Sequence, residues 1–395
     1  MMSFGVFLVI LSPYTALIPV LYCAYIVYRN RYAVLQNPAV LRSPWNIGLL
    51  FVFMWSAAVG FVNLDKLSLG AAFVLLGYLA LSIYFQLFVS TEEKTEALIR
   101  TVLHGSVYAA LLGLAEKAAS CFVDMSWISR FFWSPTYIPD PEAHRIYSTF
   151  GNPNIAGAWF AAMVLISYYF FEREQGRRKT LYLAAAVLFV LVMALTGSRG
   201  AVLGLVSGFI VLACFRRNQG SLMPLGLMFG LVVALTFVVP EINHPLNSRE
   251  YIWNICRDMF RQKPVSGWGL LGIYRYSGEI HGHNIWFTVA ATLGSIGLMA
   301  YFWLKLNLIR GLRYLHQNSC ALTPLLAAVQ ALIIGHGLVD FIILVPQGGL
   351  LFFATSGLIF ALSGELAAAR AKTPAPWRSP ANAAEAANSL SERHL

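Results

Sequence analysis

Apolar runs, most of them about as long as a bilayer is thick, alternate along this chain with short polar breaks, and they predict membrane-crossing helices. The runs fall at about 4 to 28, 46 to 62, 67 to 89, 98 to 116, 154 to 171, 180 to 196, 201 to 215, 222 to 240, 285 to 304, 323 to 345 and 348 to 365. That makes about eleven helices, within a range of about ten to twelve. The first run carries Pro13 and Pro19. Only TGSRG separates the pair around 180 to 215, which predicts a tight hairpin. Two breaks are much longer than the rest, 117–153 and 241–284. The expected architecture is a single all-α polytopic membrane domain over 1–366. The Ala-, Pro- and Ser-rich tail 367–395 is expected to be cytoplasmic and disordered. The opening MMSFGVFLVI lacks a basic n-region and a small-residue cleavage site, so it reads as a retained first span.

Composition supports this frame and narrows the chemistry. Hydrophobic residues make up 58% of the chain and charged residues only 12%, about half the charged share of soluble proteins. Little length remains for a separate soluble catalytic domain. The net charge of +10 is spread one to four basic residues at a time between apolar runs, which argues for topology signals and against nucleic-acid binding. With the amino terminus outside, 18 of the 28 Lys and Arg residues fall on the cytoplasmic side, as the positive-inside rule requires. Both long loops then face outward and hold most of the concentrated polar chemistry. The five cysteines form no CxxC pair and no zinc spacing, so no metal is expected from them. Cys121 and Cys256 both fall outside, and whether they pair is left open.

Within the second long loop, a helix is expected from Ser248 to about Lys263, where Pro264 stops it. Ile252, Ile255, Cys256, Met259 and Phe260 form its apolar stripe, while Arg249, Trp253 and Arg257 share another side. A cation in the first helical turn opposes the helix dipole unless an anion is shared, so Arg249 is a candidate phosphate ligand. Arg199, in TGSRGA between two apolar runs, is a charge at a bilayer boundary with no acidic neighbour in sequence, and such a charge calls for a partner. HGHN at 281–284 leads straight into a span. Its histidines are candidate general bases, with His283 nearer the helix and His281 beside it. In the first long loop, Asn152 and Pro153 predict a helix start, with Arg145 and Asn154 as possible substrate contacts. The aromatics Trp127, Phe131, Phe132, Trp133 and Tyr137 favour an interfacial belt over a sugar platform. His336 and Asp340 lie four apart and are expected on one helix face lining a cavity, with mutual pairing as the plainer account. Arg257 and His281 complete the candidate substrate contacts.

GWGLLG at 267–272 satisfies GxGxxG but follows a helix-ending proline instead of a strand, so it reads as a flexible turn and not as a dinucleotide site. No Walker, D-x-D, HExxH or GxSxG pattern occurs in the long loops, which argues against a metal-dependent nucleotide-sugar enzyme.

RIYSTFGNPN, then LTGSRGA, then SREYIW with MFRQKPVSGWGLLGIY, then HGHN occur in this order over roughly 145–305. As an ordered set they resemble the O-antigen ligase and O-antigen polymerase superfamily of bacterial membrane glycosyltransferases. The resemblance implies a GT-C-like fold and an active site on the periplasmic or extracellular face of the cytoplasmic membrane. It also implies a donor glycan linked to a polyprenyl pyrophosphate such as undecaprenyl pyrophosphate, and inverting transfer without metal, nucleotide or other cofactor. The acceptor would be a glycan or lipid, as in lipopolysaccharide or surface-polysaccharide assembly. On this chain the family's arginines are Arg199 of the SRG motif and Arg249 of SRExxxW, which would bind pyrophosphate. Its histidine is His283, the base. A repeat-unit polymerase of the same superfamily is the near alternative. A solute transporter is the competing class, though its polar groups should lie near mid-membrane and in repeats, whereas these concentrate at one boundary.

Overall fold

The computed structural model describes residues 2–125, 145–215 and 247–372. The protein is an all-α polytopic membrane protein, 79% helical with no strand among the described residues. Its helices are α1 (Met2–Leu11), α2 (Ile18–Arg29), α3 (Arg31–Leu35), α4 (Pro38–Leu41), α5 (Pro44–Val62), α6 (Lys66–Phe88), α7 (Glu92–Ser120), α8 (Pro153–Arg173), α9 (Gly176–Leu195), α10 (Arg199–Cys214), α11 (Asn247–Gln262), α12 (Gly272–Ser277), α13 (Ile285–Gln317), α14 (Thr323–Gly337) and α15 (Pro346–Lys372). Among the described residues, seven of these (α5 to α9, α13 and α15) are long and apolar enough to cross a membrane, and α2, α10 and α14 are shorter apolar helices.

Three spans differ from expectation. The run at 4 to 28 is broken between α1 and α2. Pro13 lies in the break, which is a turn with Thr15 Oγ1 donating to the Leu8 carbonyl, as a helix-breaking proline there would cause. The run at 323 to 345 stops being helical at Gly337, leaving 338–345 irregular apart from turns. The run at 285 to 304 continues to Gln317. The span expected at 222 to 240 and the aromatic residues 127–137 lie outside the described residues. The terminal helix runs to Lys372, taking in the first six residues of the expected tail, and the tail from 373 lies outside them too.

Local sequence signals account for the helix starts. Asp65 Oδ1 accepts from the Leu67 and Ser68 N–H groups, and Thr91 Oγ1 from Lys94 N–H, so each helix's first orphan donors are satisfied. α8 is the central helix, with 89% of its apolar window buried, and α7, α9, α10, α14 and α15 pack around it. α10 lies almost backbone to backbone on α14. A Cβ at Gly204 would come within 2.7 Å of the Leu332 carbonyl oxygen and one at Gly208 within 3.1 Å of that of Ala328. Glycines one turn apart are what permit this approach between membrane helices.

The GWGLLG stretch is a turn, but a pinned one. α13 is broken at Gly294, whose φ is 66° and ψ −163°, and the loop fills the break. Trp268 N–H donates to the Ala291 carbonyl (3.0 Å), Gly269 N–H to Thr292 (2.8 Å) and Ser295 N–H to Pro264 (2.8 Å). Trp55 Nε1 donates to the Leu293 carbonyl. The carbonyls and amides freed by the break are thus paired through the loop, as buried backbone requires. Gly267 has φ +69°, and a Cβ there would stand 2.4 Å from the Thr292 carbonyl, so only glycine fits.

Candidate functional site

The start of α8, the α9–α10 turn, the start of α13 and the end of α14 converge at one end of the bundle. Asn152 caps α8 through Oδ1, which accepts from Asn154 N–H, and Ser198 Oγ caps α10 by accepting from Ala201 N–H. The two starts touch: a Cβ on Gly157 would lie 2.7 Å from the Ser198 Cβ. The tight hairpin expected at TGSRG is present, with Gly197 at φ 61°. Asn284 caps α13, accepting from Trp286 and Phe287 N–H, while its Nδ2 donates to the Leu338 carbonyl at 2.8 Å. That bond ties the HGHN loop to the irregular stretch after α14.

Asp340 lies in this stretch with only 2% of its side chain exposed. Its Oδ1 accepts from Phe341 N–H (2.8 Å) and lies 3.1 Å from His283 Nδ1 and 3.7 Å from His281 Nε2. His283 N–H donates to His281 Nδ1 at 3.2 Å, and His283 takes a left-handed φ of 47°. A non-glycine residue rarely adopts that conformation, and it marks a held geometry. Glu279 Oε2 is 3.9 Å from His283 Nε2. Burial would raise the Asp340 carboxyl, but the hydrogen bond from His283 and the neighbouring imidazoles outweigh it and hold the group well below the usual carboxylate range. Burial pushes His281 down to about 4, against the attraction of Asp340. At neutral pH the cluster thus holds a carboxylate beside a neutral His281.

Cations surround it. Arg249 Nη1 donates to the Val339 carbonyl, one residue before Asp340. Arg199, half-buried at the start of α10, is within electrostatic reach of Arg249, and Arg145 is within reach of both and of Asp340. Burial holds the Arg145 guanidinium below its ordinary pKa; Arg249 and Arg199 add to this, while Tyr147 and Asp340 oppose it.

The structure brings Arg145, Asn154, Arg199, Arg249, His281, His283, His336 and Asp340 to this end of the bundle, with different relations from those expected. His336 and Asp340 do not pair by side chains, because α14 ends between them. Asp340 N–H caps back to the His336 carbonyl at 3.0 Å, and its carboxylate turns to the HGHN histidines. The His336 ring is fully buried against α10, 2.9 Å from where a Gly200 Cβ would be. Arg145 and Asn154 bond to each other: Nη2 donates to Asn154 Oδ1 (2.8 Å), while Nε donates to the Thr196 carbonyl (2.7 Å). They form a strut between α8 and the α9–α10 turn. Arg257 is exposed, and no described contact ties it to the group. Trp253, a turn after Arg249, stacks on Phe287 at 5.8 Å between centroids.

Sequence reasoning missed Glu116 of α7. It is buried, and its two oxygens accept from Tyr147 N–H (3.0 Å) and Ser148 N–H (2.6 Å), anchoring the loop that carries Arg145. A carboxylate inside an apolar run was the available signal. Among the described residues, the ligand atoms of His281, His283 and Asp340 also lie close enough to hold a cation, all within 4.8 Å of one another. Cys121 is exposed and Cys256 buried, each a free thiol.

Among known proteins, residues 184–302 match the family model described as O-antigen ligase. The match spans Arg199, Arg249, His281 and His283, and it begins after RIYSTFGNPN. No curated protein matches the chain. Over residues 184–302, fewer than half of its residues, the chain is thus similar to the O-antigen ligase family.

Proposed function

We propose that this protein transfers a glycan from a polyprenyl-pyrophosphate carrier to an acceptor hydroxyl at the outer face of the cytoplasmic membrane. The observation that carries the reading is the 3.1 Å pair between His283 Nδ1 and the buried Asp340, set beside Arg249 and Arg199. With the Nδ1 proton donated to the carboxylate, Nε2 keeps its lone pair as a base. An acceptor O–H gives its proton to Nε2 while its oxygen bonds to the anomeric carbon. The bond from that carbon to the pyrophosphate oxygen breaks on the opposite face, so the configuration inverts. Asp340 stabilises the imidazolium that forms and fixes the ring.

Arg249 and Arg199 neutralise charge developing on the leaving pyrophosphate. Guanidinium groups aimed at phosphate oxygens do this through bidentate, charge-assisted hydrogen bonds. Arg145 acts at one remove by holding the α9–α10 turn from which Arg199 projects. Neutral His281 accepts the His283 backbone N–H and so keeps the base in its left-handed conformation.

The test is purified protein in lipid, given a polyprenyl-pyrophosphate glycan and candidate acceptors. Transfer by the wild type that is lost in Arg249→Ala and His283→Ala is the expected result. A single product indicates a ligase, and a ladder of products a polymerase. Absence of transfer together with solute flux in the same vesicles would replace the enzyme with a transporter.

A further inference from the structure

We infer that His281, His283 and Asp340 form a reversible zinc-class metal site whose occupation blocks the base. Two imidazoles and a carboxylate are the donor set of zinc and its transition-metal neighbours, and they disfavour calcium or magnesium, which take oxygen ligands. Asp340 Oδ1 is 3.1 Å from His283 Nδ1 and 3.7 Å from His281 Nε2, and the three ligand atoms all lie within 4.8 Å. Ligand atoms around a tetrahedral zinc stand about 3.4 Å apart, given bonds of about 2.1 Å. The two imidazole–carboxylate distances bracket that figure, and only the separation of the two rings has to close. His283 and His281 keep 28% and 14% of their side chains exposed, so the site is reached from the HGHN side. A fourth position stays open for water, as in sites with three protein ligands.

The proton balance gives the consequence. In the hydrogen-bonded arrangement His283 carries its proton on Nδ1, toward Asp340, and His281 carries its own on Nε2, because His281 Nδ1 accepts the His283 N–H. Metal on His283 Nδ1 displaces that proton to Nε2, so the lone pair that would accept the acceptor's proton is capped. On His281 the proton moves from Nε2 to Nδ1, and the 3.2 Å hydrogen bond from His283 N–H is given up. No proton is released overall, and one backbone hydrogen bond is lost. Arg249 and Arg145, within electrostatic reach of the cluster, oppose a second cation. The site is therefore weaker than a structural zinc site, which suits reversible occupation.

Metal binding stands on the geometry alone, whereas the block on transfer rests on the proposed glycosyl-transfer reading. The test uses the full chain, without an affinity tag, in lipid and without donor. Zn2+ is titrated by calorimetry, and Co2+ by the visible bands of a tetrahedral ion. The wild type is expected to bind one equivalent with those bands. His281→Ala and His281→Gln should weaken binding by about tenfold or more, as losses around metal sites do, and exposed His316→Ala should leave it unchanged. Wild-type binding no tighter than that of both His281 variants, or no tetrahedral Co2+ bands, would overturn the site. With donor and acceptor added, Zn2+ should halve wild-type transfer at the concentration that half-fills the site. Each variant is scored against its own metal-free rate. Filled sites with undiminished transfer would overturn the block, while a protein that binds metal but transfers no glycan would instead count against the proposed function.

Discussion

Asp340 Oδ1 receives the Phe341 N–H and faces His283 Nδ1 at once, so removing its charge while keeping its shape separates orientation from charge stabilisation. Asp340→Asn should lower kcat by about 100-fold to 10,000-fold with the donor KM unchanged, since the imidazolium then lacks its counter-charge. Initial rates across donor concentrations check this, and a variant losing only donor affinity would move Asp340 from the base to the pyrophosphate side. Glu116 makes a contrasting case. Glu116→Ala strands the Tyr147 and Ser148 N–H groups, at about 1 to 3 kcal/mol for each buried donor left unpaired. Thermal unfolding in detergent should show that loss; an unchanged Tm would mean the loop is held otherwise. At this scale the sequence showed residue types but not partners. His283 and Arg199 stood out as polar groups at span boundaries. The partner of His283 sits 57 positions away, and helical spacing pointed Asp340 to His336 because nothing local announced that α14 stops at Gly337.

Among elements, the loop that fills the break in α13 also packs on α11, with Trp268 against the cluster of Ile252, Cys256 and Met259. The loop joins α11, which carries Arg249, to α12 and the HGHN turn, so its register sets where Arg249 and His283 stand. Gly267→Ala adds a Cβ 2.4 Å from the Thr292 carbonyl at a left-handed φ. It should cost about 1 to 3 kcal/mol or more, combining overpacking with backbone strain. Thermal unfolding reads it out, with Gly278→Ala as comparison, since Gly278 also has positive φ but open space around its Cβ position. Equal Tm losses would mean that conformation and not packing is the constraint. The helices themselves were legible because each rests on local hydropathy and caps, and α11, whose stripe could have lain on the membrane surface or against the bundle, buries Ile252, Cys256 and Met259 against the bundle. The plugged helix break was not, because glycine and tryptophan in a loop look alike whether the loop is loose or packed.

Across the whole molecule, the site lies at the end of the bundle where α7 finishes and α10 begins. Cys121 just beyond α7 and Cys214 at the end of α10 are both exposed thiols, and the proposed topology puts them on opposite faces. A membrane-impermeant maleimide applied from outside should label Cys121 and reach Cys214 only after permeabilisation; the reverse pattern would turn the site inward. Membrane class was readable from composition, whereas the closing of 145–152, the α9–α10 turn, HGHN and 338–345 on one another is a tertiary fact. His283 as the base of a pyrophosphate-leaving glycosyl transfer is tested most directly by transfer kinetics of wild type, His283→Ala and Arg249→Ala in the same lipid. The predicted result is a kcat at least about 100-fold lower in His283→Ala with donor KM unchanged, and a raised donor KM in Arg249→Ala. Transfer by His283→Ala at the wild-type rate would contradict it.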